Sequence, residues 1–407
     1  MSLTLSQLEF CRSLAGEALA AAPLPSDRLT ALEQLRRTCE PAQAAAVMAI
    51  RELRHRARQD GKFPGAWADR LLATEPLLQQ ASSIRLAVYV GRRLARAAGD
   101  GAVWDLCCGL GADALGIAAA GGSVRAVDRS AEAICCARHN AVAAGLADRC
   151  AFDVADVSAL DLQAGAVVHI DPDRRASGRR VAGLARCEPD ERFLRALPSR
   201  TAAGAMKLSP SLAVGEVAGW ERVAVEHVSE GGVCKQLLVW WGDPAVAPRR
   251  ATVVEGDPLD PRATSLDVGL APPAPVDQAG DIILEPDAAV IAGGGTDDLA
   301  AHLAAAGVPA WRLAPGLDWL TAAATADTPL ARCFRVLAAV PGRETDVAAA
   351  VRSLDGGLVE VKPRGLKLDT DALQVRLRGG GTRPLVVLWG ALGARQRAFI
   401  AERVERP

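Results

Sequence analysis

Among 407 residues and ten cysteines there is no CxxC, and the nearest thiols, Cys107–Cys108 and Cys135–Cys136, sit in adjacent pairs. That spacing suits neither a disulfide framework nor a zinc site. It predicts reduced thiols in a cytoplasmic chain with no bound metal. No apolar run is long enough to cross a bilayer. The amphipathic start, MSLTLSQLEFCRSLAGEAL, lacks the basic opening and apolar centre of a secretory signal. Internal repeats and low-complexity tracts are missing too. Lysine is scarce: of 47 basic residues five are lysine and 42 arginine, a bias that genome base composition produces. What the chain does have is apolar mass. Hydrophobic residues make up 50% and charged residues 23%, the balance of a globular protein. At roughly 100–200 residues per domain, two or three domains are expected.

The net charge of −1 hides an asymmetry. Residues 1–100 carry 14 basic and 10 acidic side chains, and residues 101–250 are nearly balanced. Residues 251–330 carry 2 basic and 12 acidic, whereas residues 331–407 carry 14 and 8, a net of +6. A basic C-terminal module behind an acidic connector suits a polyanion, although ordinary solubility charge accounts for the +6 equally well.

Apolar residues at helical spacing make the first stretch helical, with Pro41 well placed to open a helix. A further helix is expected from Pro76 to Ala98, stopped by Gly99–Asp100–Gly101. From Ala102 short apolar runs alternate with helical stretches: AVWDLCC, SVRAVDR, CAFDV, AVVHIDP and GAMKLSP read as strands. This is the βαβ rhythm of a doubly wound parallel sheet. WERVAVEHVSEGGVCKQLLVWWG reads as a closing hairpin around Ser229-Glu-Gly-Gly232. Residues 243–280, rich in Pro, Asp and Gly, read as a connector. The last stretch reads as β-α-β-α-β-α, with ARQRAFIAERV as the final helix. The expected organisation is therefore a helical region over 1–98 and a catalytic domain over 99–245. An acidic connector with a small α/β piece over 246–330 and a basic α/β module over 331–407 follow.

Asp105-Leu-Cys-Cys-Gly109-Leu-Gly111 follows a predicted strand and opens a helix. Gly109 and Gly111 permit a tight turn and close approach of a ligand, with Cys107 inside the loop. Ala114 stands where a dinucleotide fingerprint has its third glycine, which does not exclude NAD. Asp105 decides against it, because a carboxylate there repels a pyrophosphate but receives the ammonium of a methionine moiety. Asp128 ends the next strand, where a carboxylate accepts both ribose hydroxyls. Asp153 and Asp156 follow the third strand and compete for the adenine amino group, Asp153 lying nearer the strand end. A lone Asp at a strand end is usually a helix cap. The set in register down one βαβαβ unit points to S-adenosylmethionine.

These motifs, together with LLQQASSIRLAVYVGRRLA, HIDPDRRASGRR, MKLSPSL, LEPDAAVIAG, PLARCFRVL and VEVKPRGLKLD, resemble a bacterial family. It joins a class I methyltransferase domain to a C-terminal THUMP-like domain. The resemblance covers nearly everything after about residue 60. It implies a Rossmann-like α/β sheet between a helical N-terminal region and an α/β THUMP-like domain over 331–407. It implies S-adenosylmethionine as cofactor and supplies no substrate. The core also looks like that of trimethylguanosine synthases, which methylate an exocyclic guanine nitrogen in RNA.

His169-Ile-Asp171-Pro172-Asp173-Arg174-Arg175 ends the fourth strand. Amino-methyltransferases place [DNS]-P-P-[YFW] there, the first residue accepting from the target NH2 and the aromatic stacking on the base. Asp171 and Pro172 are kept and expected to be catalytic, while Asp173 and Arg174 replace the second proline and the aromatic. A guanidinium plane stacks on a base and binds phosphate. Arg174 and Arg175, with Arg179 and Arg180 beyond, therefore read as a substrate clamp that Lys207 joins, or as a solvated face. Lys362, Arg364 and Lys367 in VKPRGLK read as an exposed phosphate-binding loop. Trp389 and Phe334 offer the module little base stacking. The leading expectation is methylation of a base nitrogen in structured tRNA or rRNA. A small-molecule or protein amine as acceptor, and a non-catalytic RNA-binding protein with a retained fold, stand as alternatives.

Overall fold

The computed structural model describes residues 3–174, 183–217, 219–242, 247–393 and 395–406. The chain divides into two compact units. The first comprises residues 1–225, 236–248 and 254–263, the second residues 226–235, 249–253 and 264–407.

In the first unit, helix α1 (Pro41–Asp60) opens on proline, whose missing N–H a first turn does not need, and ends at Gly61 with φ +62. The single helix expected from 76 to 98 is two helices, α2 (Glu75–Gln80) and α3 (Ile84–Ala98). The Ser83 hydroxyl accepts from the Leu86 N–H and starts α3, so the serine pair acts as a break and a cap. β1 (Ala102–Leu106), α4 (Ala112–Ala119), β2 (Ser123–Asp128), α5 (Ala131–Ala143), β3 (Cys150–Val154), β4 (Val167–Ile170) and β5 (Ala203–Leu208) then build the sheet. β6 (Val223–Glu230) and β7 (Val233–Trp241) form the expected hairpin, its tip at Gly231 and Gly232 with φ +61 and +76.

Six consecutive strands of the sheet run in the order β7-β5-β4-β1-β2-β3, parallel from β5 to β3 and antiparallel between β5 and β7. The order reverses between β1 and β4, and the crevice beyond their carboxyl ends is where such sheets bind ligands. Leu106, Val127, Val168, Ile170, Met206 and Val239 lie in the buried core. Helix α3 packs on α4 at backbone distance. A Cβ on Gly91 would fall 2.8 Å from the Gly116 carbonyl oxygen, and one on Gly116 would fall 2.3 Å from the Ala87 Cβ.

The stretch read as a connector carries two strands, β8 (Arg249–Gly256) and β9 (Pro261–Asp267). Its polar residues concentrate at turns, as where the Asp257 carboxylate takes the Leu259 and Asp260 N–H groups. The small α/β piece expected after it holds β10 (Ile282–Pro286), a helix over Thr296–Ala305, β11 (Ala310–Arg312) and β12 (Leu320–Ala322). β13 (Ala331–Pro341), α6 (Glu344–Ser353), β14 (Gly356–Arg364), α7 (Thr370–Leu377), β15 (Arg383–Leu392) and β16 (Arg395–Val404) follow. One seven-stranded sheet, ordered β11-β12-β10-β13-β16-β15-β14, joins the acidic segment to the THUMP-like strands. RQRAFIAERV, within the stretch read as a helix, is therefore the inner strand β16, antiparallel to both β13 and β15. Pairing on two sides and burial of Ala398, Phe399, Ile400 and Ala401 override its helix-favouring composition.

Candidate active site

The glycine loop leaves β1 in a left-handed backbone: Cys107 has φ +61, Gly109 +54 and Gly111 +87. Gly111 begins α4, and a Cβ there would meet that of Ala137 at 3.0 Å. Asp128 holds the loop from the end of β2. One of its carboxylate oxygens accepts from the Gly109 N–H at 2.9 Å and the other from the Ser130 N–H at 2.9 Å. Asn140 of α5 adds a bond to the Leu110 carbonyl at 3.0 Å. Asp153, next to last in β3, is exposed and without a partner among the described residues, whereas Asp156 accepts from the Ser158 N–H at 2.8 Å.

Asp105 is turned into the sheet and 1% exposed. Its register partner on β4 is His169, whose Nδ1 lies 2.7 Å from Asp105 Oδ1. Burial raises the Asp105 carboxyl above its usual range, with the His169 bond opposing. Burial would lower His169, but Asp113, Asp105 and Asp171 outweigh it and raise the imidazole. Asp105 Oδ2 and His169 Nε2 are buried without hydrogen-bond partners among the described residues.

Beside this pair, Lys207 at the end of β5 binds the Asp171 carboxylate and the Ser82 hydroxyl, the latter at 2.9 Å. Asp113, in the first turn of α4, lies 3.9 Å from the same ammonium and accepts from Ser82 at 2.9 Å. Burial opposes the charge on Lys207, yet Asp171 and Asp113 hold its pKa above the ordinary value. Burial likewise raises Asp113, but Lys207 and His169 bring it below the usual carboxylate range. Three carboxylates thus face two basic groups, so the crevice has room for one more positive charge. The orphaned Asp105 oxygen and the open glycine loop fit S-adenosylmethionine, whose ammonium and sulfonium are cationic.

The sequence expectations are partly gathered here. Asp105, Cys107, Gly109, Gly111, Asp128, Asp153, Asp171, Pro172 and Lys207 lie at or beside the carboxyl ends of neighbouring strands. Arg174 is in a two-residue ladder opposite Cys187, and Arg175, Arg179 and Arg180 lie outside the described residues. Burial pushes the Cys107 and Cys108 thiols well up, with nearby carboxylates adding to it, which argues against a thiolate nucleophile. Sequence reasoning missed three residues. His169 was quotable two positions before Asp171, and Asp113 two after Gly111. Ser82 had only the serine pair that caps α3. No group of three or more His, Cys, Asp or Glu side chains is arranged to hold a metal among the described residues. No helix there is long and apolar enough to cross a membrane.

In the second unit the expected basic loop is not a loop. Lys362 and Arg364 end β14 and bind Glu285, at 2.8 and 3.2 Å; Glu285 is 8% exposed. Pro363 is tolerated because β14 is an edge strand. Only Lys367 of the three is exposed. Phe334 and Trp389 are buried and present no face for stacking. A different basic group emerges from the register. Arg397 stands opposite both Pro341 and Gly390, and Gly390 opposite Arg364. Exposed Arg343, Lys367, Arg395 and Arg397 therefore share one end of the sheet.

Two family models match: a methyltransferase domain over residues 103–170 and a THUMP domain-like module over residues 331–403. An uncharacterized S-adenosylmethionine-dependent methyltransferase of Mycobacterium tuberculosis is 31% identical over 368 residues, spanning 86% of this chain and 94% of the relative. A crystal structure from Porphyromonas gingivalis W83, named for a methyltransferase, superposes with a TM-score of 0.69 at 18% identity. It covers 98% of this chain and 97% of that one.

Proposed function

We propose that this chain, which belongs to the S-adenosylmethionine-dependent methyltransferases with a C-terminal THUMP-like domain, methylates a base nitrogen of structured tRNA or rRNA. The observation that carries the chemistry is Asp171 at the carboxyl end of β4, one oxygen held by Lys207 and the other without a hydrogen bond among the described residues. S-adenosylmethionine, when bound, supplies an electrophilic methyl group on its sulfonium.

The chain's own residues do the rest. Asp128, fixed by the Gly109 and Ser130 amides, keeps lone pairs for the ribose hydroxyls, and Asp153 is free for the adenine amino group. Asp105, buried against His169 beneath the loop, favours the methionine ammonium by its charge rather than by contact. The free Asp171 oxygen accepts a hydrogen bond from the acceptor amine, aligns its lone pair with the methyl and takes up the charge that develops there. Alignment of nucleophile and methyl is positional work, which the anchored carboxylate performs. Pro172 fixes the turn after Asp171, and Arg174 and Arg175 guide the target nucleotide.

The basic end of the second unit's sheet supports RNA as the acceptor. Arg343, Lys367, Arg395 and Arg397 match phosphates, which position a substrate without reading its bases. Buried aromatics favour recognition of shape over single strands. The test is transfer of tritiated methyl from S-adenosylmethionine by the full chain into RNA, protein and small-molecule fractions of a bacterial extract. Ribonuclease-sensitive label in tRNA or rRNA is expected; label in protein or metabolites overturns the RNA reading.

A further inference from the structure

We infer that Ser82, in the bend between α2 and α3 outside the catalytic sheet, is a positioning residue for methyl transfer and acts on Asp171 through Lys207. The inference rests on the reading of Asp171 as the group that meets the acceptor.

The hydrogen bonds admit one arrangement. Ser82 Oγ donates its proton to Asp113 Oδ2 at 2.9 Å and uses a lone pair to accept from Lys207 Nζ at 2.9 Å. Lys207 has only N–H donors, so its remaining reach goes to Asp171 Oδ2. The ammonium is thereby pinned from two sides, by a hydroxyl and by the Asp113 carboxylate at 3.9 Å. A carboxylate just past a strand end turns about its terminal torsion unless one oxygen is fixed. With Oδ2 held, Oδ1 keeps one direction.

The bend is itself fastened. Lys62 Nζ donates to the Leu78 and Gln79 carbonyls at 3.0 Å each, and the Ile84 N–H donates to the Lys62 carbonyl at 2.7 Å. These bonds bracket Ser82 on both sides. Gln80 Nε2 reaches Asp173 Oδ1 at 3.5 Å, two residues past Asp171. Ser82 is 7% exposed, so solvent does not replace its hydroxyl readily. The helical N-terminal region thus completes a catalytic site whose cofactor and acceptor residues all lie beyond residue 100.

The test compares Ser82→Ala, Lys207→Met and Asp171→Asn in the full chain, with tritiated S-adenosylmethionine and unfractionated bacterial tRNA. Ser82→Ala removes one neutral hydrogen bond and should lower kcat roughly two- to tenfold; Lys207→Met removes a charged one, for roughly 10–100-fold. Ser82→Ala should leave cofactor affinity by calorimetry unchanged and should melt with the wild type. In Lys207→Met the facing groups among the described residues are Asp105 on β1, Asp113 on α4, Asp171 and His169. Asp113 then loses the ammonium that holds its carboxyl low and protonates at higher pH, so the acid limb of the rate profile moves upward. A merely structural lysine would leave that limb in place. If Lys207→Met does not fold, Ser82→Ala decides alone. Wild-type kcat in Ser82→Ala with transfer lost in Asp171→Asn overturns the positioning role only. Wild-type kcat in Asp171→Asn overturns the reading of Asp171 as well.

Discussion

Asp128 binds the amide of Gly109 across 19 residues of sequence, at 2.9 Å, so the carboxylate proposed for the ribose also shapes the loop proposed for the methionine moiety. The two halves of a cofactor site are coupled through one side chain.

Asp128→Ala should therefore lose the ribose bonds and loosen the loop. Each hydrogen bond to a charged group is worth about 1.5–3 kcal/mol, so cofactor affinity should fall by at least that amount. Titration calorimetry with S-adenosylhomocysteine checks it. Unchanged affinity would remove Asp128 from the site.

The second unit separates two kinds of basic residue. Glu285→Ala should destabilise the fold by about 3 kcal/mol, because it removes the anion of Arg364 and leaves Lys362 only Glu360, at 3.6 Å. Arg395→Glu with Arg397→Glu should leave the melting temperature alone and weaken tRNA binding. The slope of log affinity against log salt should also flatten by about one to two. Urea denaturation and filter binding across a salt series read the two effects.

His227 sets a pH dependence of stability. Burial and then Arg249 lower its pKa from 6.5 to about 4, so the folded chain holds it neutral where the unfolded chain is protonated. Stability is full above pH 6.5 and declines as pH falls towards 4. The difference is about 3 kcal/mol by linkage. Denaturation at pH 7 and pH 4 should show a smaller loss in His227→Gln than in the wild type.

The parts legible in the sequence were those fixed by local chemistry. Gly109, Gly111 and Asp128 follow strands whose apolar runs announce them, and Gly231–Gly232 marks a hairpin by backbone alone. What stayed hidden depends on pairing across long separations. β16 looks helical until β13 and β15 flank it. Lys362 looks solvated until Glu285, 77 residues earlier, meets it. Ser82 lies 125 residues from Lys207, and no local pattern links them.

The account turns on Asp171 as the residue that meets the acceptor. The measurement that tests it most directly is single-turnover methyl transfer to tRNA by Asp171→Ala, with cofactor binding measured on the same preparation. The account predicts unchanged S-adenosylmethionine affinity with transfer reduced roughly 10²–10⁴-fold, the scale of a lost proton-accepting group. Transfer at the wild-type rate would contradict it and leave Asp171 a turn residue at the end of β4.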